Sequence, residues 1–130
     1  MTPEMKKKIL IVDDEIESLA YLGQILLRED YYVIYANNGA DAISLAIQHL
    51  PDLIILDMMM PGIEGSEVAT TLREDPTTKD IPLLIVSGAI LSKNDQIPNN
   101  APEHNQYVLA KPITPSEIIE LVQKILLTRH

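Results

Sequence analysis

Residues 53–62 read LIILDMMMPG, and the reading of this stretch decides the fold. Four aliphatic residues run straight into Asp57, three methionines follow, and Pro61-Gly62 turns the chain. A run that is apolar at every position suits a strand covered on both faces better than one with a solvated side. Aspartate is a common strand terminator, so the meaning of Asp57 depends on what else lies at the same end of the molecule.

Runs of the same kind occur at 9–12, 32–35, 83–86 and 107–109. Segments with helical periodicity lie between them. The first, 15 to about 29, is expected to put Ile16, Leu19, Ala20, Gly23, Leu26 and Leu27 on one face. Asn37-Asn38-Gly39 introduces a second, with Ala42, Ile43, Ala46, Ile47 and Leu50 as its stripe before Pro51 stops it. A third follows Gly65, with Val68 and Leu72 facing inward. The last opens on Thr114-Pro115-Ser116-Glu117, an N-cap, a proline at the first helical position and a capping-box glutamate. Its stripe is Ile118, Ile119, Val122, Ile125 and Leu126.

Strand and helix alternate five times, the pattern of a parallel sheet with helices on each side. The expected fold is therefore one doubly wound α/β domain spanning residues 1–130, with no internal repeat or linker. One segment fits poorly. Residues 90–105, ILSKNDQIPNNAPEHN, should hold the fourth helix, yet contain Pro98, Pro102 and four asparagines. A short helix at about 91–97 with an irregular, mobile loop behind it is the most that composition allows.

Bulk composition narrows the function. The 130 residues fit one domain with one sizeable core, and 46% apolar with 22% charged residues is ordinary for a globular chain. No stretch approaches the ~18 apolar residues of a membrane span, and the N-terminal apolar run is too short for a secretory signal. Without cysteine there is neither disulfide framework nor thiolate metal site, so a cytoplasmic location is expected. A net charge of −9 repels nucleic acid. Lys6, Lys7 and Lys8 form the single basic cluster and read as a solvated lead-in to the first strand.

The runs end, in order, in Asp13-Asp14, Asp57, Ser87 and, after the fifth, Lys111. In an open parallel sheet these C-terminal ends share one edge, where ligands bind at the topological switch point. A lone strand-end Asp is usually a cap or turn residue, but three acids, a hydroxyl and a lysine on one edge are a site. Three neighbouring carboxylates repel one another, which makes sense around a hard divalent cation such as Mg²⁺. The absence of cysteine and of clustered histidine argues against zinc. A metal with a lysine and a hydroxyl facing it suits phosphoryl transfer to a carboxylate. His49 reads as a helix C-terminal charge, Glu15 as a first-turn acid of the first helix, and Met58–Met60 as packing residues.

The acidic pair in ILIVDDE, then PDLIILDMMMPGIEG, PLLIVSGA and LAKP, in this order and spacing, resemble the receiver domain of two-component response regulators. The resemblance covers nearly the whole chain, a core of about 7–127. It implies a flavodoxin-like (βα)5 fold with strand order 2-1-3-4-5, as in single-domain chemotaxis-type receivers. It also implies that Asp57 is the phosphoacceptor. Asp14 and Asp57 would ligate Mg²⁺, with Mn²⁺ as an alternative, together with the Met59 backbone carbonyl, while Asp13 acts largely through water. Ser87 and Gly88 would bind phosphoryl oxygens, Lys111 would pair with another, and Pro112 would follow a cis bond. The implied partners are a histidine kinase or phosphotransfer protein, a downstream protein of unknown identity, and a second copy in a phosphorylation-dependent homodimer. Neither nucleic acid nor membrane is among them, and the domain would be regulatory rather than an enzyme.

The sequence departs from that family in three places. Val108 stands where an aromatic switch residue is usual, with Tyr107 beside it and expected on the opposite strand face. Ile113 replaces a frequent Phe, and the fourth-helix segment is long and poor in helix formers. Met59 and Ala89 flank the approach of hydrolytic water in this family and offer it no polar group, so a long-lived phosphoryl group is expected. The output surface, about 88–112, is thus where this chain differs. Rival readings are an aspartyl-nucleophile phosphohydrolase, a flavodoxin-like redox carrier and a pseudo-receiver. The first normally has an acid where Met59 stands, the second a Ser/Thr/Gly-rich loop after the first strand, and the third lacks an acid or the lysine.

Overall fold

The computed structural model of the chain describes residues 6–57, 65–87 and 105–127. Its five strands are β1 (Lys8–Val12), β2 (Tyr32–Ala36), β3 (Leu53–Asp57), β4 (Leu83–Ser87) and β5 (Gln106–Ala110). They form one parallel sheet in the order β2-β1-β3-β4-β5. Every aliphatic run quoted above is a strand, and the strand order is the one that the resemblance implies. The helices are α1 (Ile16–Arg28), α2 (Gly39–His49), α3 (Gly65–Glu74) and α4 (Pro115–Leu127). The short helix expected at 91–97 lies outside the described residues.

Side chains alternate along a strand, and the core divides accordingly. Ile9, Ile11, Leu53, Ile55, Leu84 and Val86 pack under α1 and α4. Leu10, Val12, Ile54, Leu56 and Leu83 pack under α2 and α3. Both faces of β1 and β3 are buried, which explains why their sequences show no alternation.

The helices follow the expected stripes with two corrections. In α1 the buried residues are Leu19, Leu22, Gly23, Ile25 and Leu26. Ile16 and Leu27 are 72% and 54% exposed, and Ala20 also faces solvent. With so many apolar residues on this helix, the periodicity admits more than one face, and the sheet selects the one centred between Leu22 and Leu26. In α2, Ala42 and Ala46 are buried and Ile43 is partly so, but Ile47 and Leu50 are exposed. Leu50 is the C-cap in left-handed backbone, with φ of 47°, where the chain turns from α2 towards β3. Lys8 Nζ donates to the His49 carbonyl at 2.7 Å, so the Lys8 ammonium meets the carbonyl end of that helix. Val68 and Leu72 of α3 are buried as expected.

The expected capping box of α4 is complete. The Thr114 amide donates to Glu117 Oε1 at 3.0 Å, and the Glu117 amide to Thr114 Oγ1 at 3.2 Å. At the opposite edge of the sheet, Arg73 of α3 donates to the carbonyls of Lys79 and Asn105 at 3.1 and 3.0 Å. The Asn105 carbonyl also accepts from the Leu83 amide. One guanidinium thus ties the entrances of β4 and β5 together, and β5 carries the lysine of the site.

Candidate functional site

The register of the sheet brings the acids together. Val12 pairs with Leu56, so the residues after them, Asp13 and Asp57, come level at the C-terminal edge. This is the crevice beside β1, where the connections run outward to β2 on one side and to β3 on the other. Asp13 is 1% exposed and Asp57 4%, whereas Asp14 is exposed. Carboxylate oxygens from all three lie within 4.8 Å of one another.

Lys111 follows β5 and reaches across the edge. Its Nζ lies 3.4 Å from Asp13 Oδ2 and 3.7 Å from Asp57 Oδ2, bridging two buried carboxylates. Burying such groups costs free energy unless they are paired, and Lys111 supplies part of that pairing. The remaining Asp13 oxygen, Oδ1, accepts the Glu15 amide at 2.9 Å. Asp13 therefore performs the ordinary strand-end duty of capping a helix entrance as well as lining the site. Glu15 is the N-cap residue of α1 and accepts from the Ser18 hydroxyl, which leaves it in the helix start.

The Lys111-Pro112 peptide is cis, as the resemblance implies. Ser87 ends β4 beside Ala110 of β5, one position past the Asp57–Val86 pair, which brings its backbone to the same edge. Met59, Gly88 and Ala89 lie outside the described residues. Tyr107 is buried among the residues under α1 and α4, and Val108, next along the strand, is half-buried and not among them. The opposition of the two faces is as expected, and Tyr107 is a core residue.

One contact has no signal in the sequence. The Tyr21 hydroxyl, on α1, donates to the Ile113 carbonyl at 2.7 Å across 92 residues of chain. Beside it Ser18, Tyr21, Leu22, Lys111, Pro112 and Ile113 line a small cavity of about 110 Å³. No periodicity or motif links position 21 to position 113, and only the packing of α1 against the β5–α4 connection reveals the pair.

Comparison with known proteins agrees with this geometry. Residues 9–123 match the response regulator receiver domain model. Response regulator PleD of Caulobacter vibrioides is 40% identical over 93 residues, 72% of this chain. The match spans 20% of PleD, so the chain corresponds to about a fifth of that relative. Protein PilH of Pseudomonas aeruginosa is 30% identical over 92% of this chain and 97% of its own length. Among solved structures, the chemotaxis response regulator CheY4 of Vibrio cholerae superposes with a TM-score of 0.81 at 26% identity, covering 94% of this chain and all of that one. With two buried aspartates and a bridging lysine on the edge of a 2-1-3-4-5 sheet, the chain belongs to the response regulator receiver domain family, a family of phosphoacceptor signalling domains.

Proposed function

We propose that Asp57 accepts a phosphoryl group from a phosphohistidine on a histidine kinase or phosphotransfer protein. The observation that carries this reading is the pair of buried carboxylates, Asp13 and Asp57, bridged by the Lys111 ammonium. An Asp57 carboxylate oxygen forms a bond to phosphorus as the phosphorus–nitrogen bond of the donor breaks. The electron pair of that bond returns to the imidazole, which takes up a proton from solvent. The Asp57 strand is paired on both sides, so its carboxylate is held at the crevice with little freedom.

The donor set fits Mg²⁺. Three carboxylates supply hard oxygen ligands, with no sulfur or imidazole among them. Asp13, Asp14 and Asp57 would hold the ion with the Met59 carbonyl, and Mn²⁺ satisfies the same donors. When bound, the ion neutralises charge on the transferring phosphoryl oxygens. Lys111 would exchange its carboxylate partner for a phosphoryl oxygen, and Ser87 and Gly88 would bond the others. Pro112 holds the connection behind Lys111. The domain core is about 7–127, and its role is regulatory: it turns over only its own phosphoryl group. The output surface spans about 88–112, including Ala89 and Val108, with Tyr107 in the core beneath it as a switch residue, and meets a downstream protein or a second copy. No helix among the described residues is long and apolar enough to cross a membrane. The cysteine-free sequence accords with the cytoplasm.

The test is labelling with acetyl phosphate and Mg²⁺, resolved on a phosphate-affinity gel beside Asp57→Asn. Label is expected in the wild-type chain and lost in the variant. Undiminished label in the variant would sink the assignment of Asp57.

A further inference from the structure

We infer that Tyr21 is a positioning residue for phosphoryl transfer, holding Lys111 at the site through the connection that follows it. This rests on the phosphoacceptor reading above. Lys111 has a four-carbon stem, and its ammonium is useful only if the backbone below it is fixed. On the β5 side the fixing is clear, since Ala110 is paired with Ser87 in the sheet. On the other side stands Pro112, which has no amide hydrogen with which to anchor itself.

The first groups able to hold that side belong to Ile113. Its side chain is buried under α1 and α4. Its carbonyl accepts the Tyr21 hydroxyl at 2.7 Å, the usual length of a well-formed O–H···O bond. Tyr21 also lines the same small cavity as Lys111 and Pro112. Beyond Ile113 the chain is already committed to the capping box of α4. Tyr21 is thus the α1 side chain that ties the lysine-bearing connection to the helix whose entrance Asp13 caps. Asp13 and Lys111, partners across the site, are each referred to α1.

Loss of the hydroxyl leaves the Ile113 carbonyl to water and releases the connection. Tyr21→Phe is therefore expected to slow labelling by acetyl phosphate roughly two- to tenfold, the effect of one hydrogen bond of ordinary net strength. A small donor is the right probe, because no docking surface on α1 is then involved. The discriminating readout is a double-mutant cycle with Lys111→Ala. If Tyr21 acts through Lys111, Tyr21→Phe slows the wild-type chain but leaves the already slow Lys111→Ala chain unchanged. An equal fall in both backgrounds, or none in the wild type, overturns the inference while the phosphoacceptor reading stands. Failure of the wild-type chain to label at all overturns that reading, and this inference with it.

Discussion

Asp13 shows at the scale of one residue how a structural and a chemical duty coexist. One oxygen caps the entrance to α1 and the other faces Lys111. The cost falls on the cluster as a whole, because three carboxylates crowd within 4.8 Å. Mutual repulsion of like charges at that separation destabilises the folded chain when no divalent cation is present. Asp57→Asn removes one of those charges with little change in shape. Its thermal midpoint in a metal chelator is expected to exceed that of the wild type by about 3–5 °C, the shift that accompanies roughly 1 kcal/mol in a domain of this size. Added Mg²⁺ should then raise the wild-type midpoint more than that of the variant, since a ligand stabilises the state that binds it. Circular dichroism melts of both proteins, with chelator and with Mg²⁺, give the four numbers needed. A variant that melts lower in chelator would show that Asp57 gains more from its partners than it loses to its neighbours.

At the scale of elements, legibility in the sequence followed how many arrangements a segment allowed. The strands were legible because their runs are short and apolar, with Asp13 and Asp57 ending two of them and Pro51 and Pro82 standing before two. α4 was legible because its start carries a capping box that specifies one boundary. The site acids were legible because strand ends in a parallel sheet share an edge whatever the details of packing. α1 was legible as a helix but not in its orientation, since apolar residues surround much of it. The bond from Tyr21 to Ile113 was not legible at all, because it depends on how two distant elements pack. The orientation of α1 has a direct consequence in adjacent residues. Leu26 is fully buried and Leu27 is 54% exposed, although both belong to the stripe read from the sequence. Leu26→Ala is expected to cost about 2–5 kcal/mol, the range for a buried leucine. Leu27→Ala is expected to cost within about 0.5 kcal/mol of nothing, as for most surface changes. Urea unfolding of the two variants checks this, and equal losses would mean that α1 sits rotated on the sheet.

For the whole molecule the governing quantity is charge. The chain carries a net −9, and its acids outnumber its bases by 19 to 10. Ion pairs among the described residues are of two kinds. Lys6–Asp30 and Lys79–Asp80 are solvent-exposed, and Lys111 with Asp13 and Asp57 belongs to the site. Exposed pairs contribute about 0–1 kcal/mol each, so salt has little favourable attraction there to weaken. Repulsion among the excess acids is spread over the surface and opposes compaction. Monovalent salt shortens the Debye length from about 30 Å at 0.01 M to about 8 Å at 0.15 M, which removes most of that long-range term. The thermal midpoint in chelator should therefore rise by a few degrees as KCl increases over this interval. It should rise less in the presence of saturating Mg²⁺, where the densest knot of negative charge is already neutralised. Differential scanning calorimetry across the series separates the two contributions. A midpoint that falls with KCl would mean that local attractions outweigh the global repulsion, and that the lysine bridge is worth more to the fold than the crowding of its acids costs.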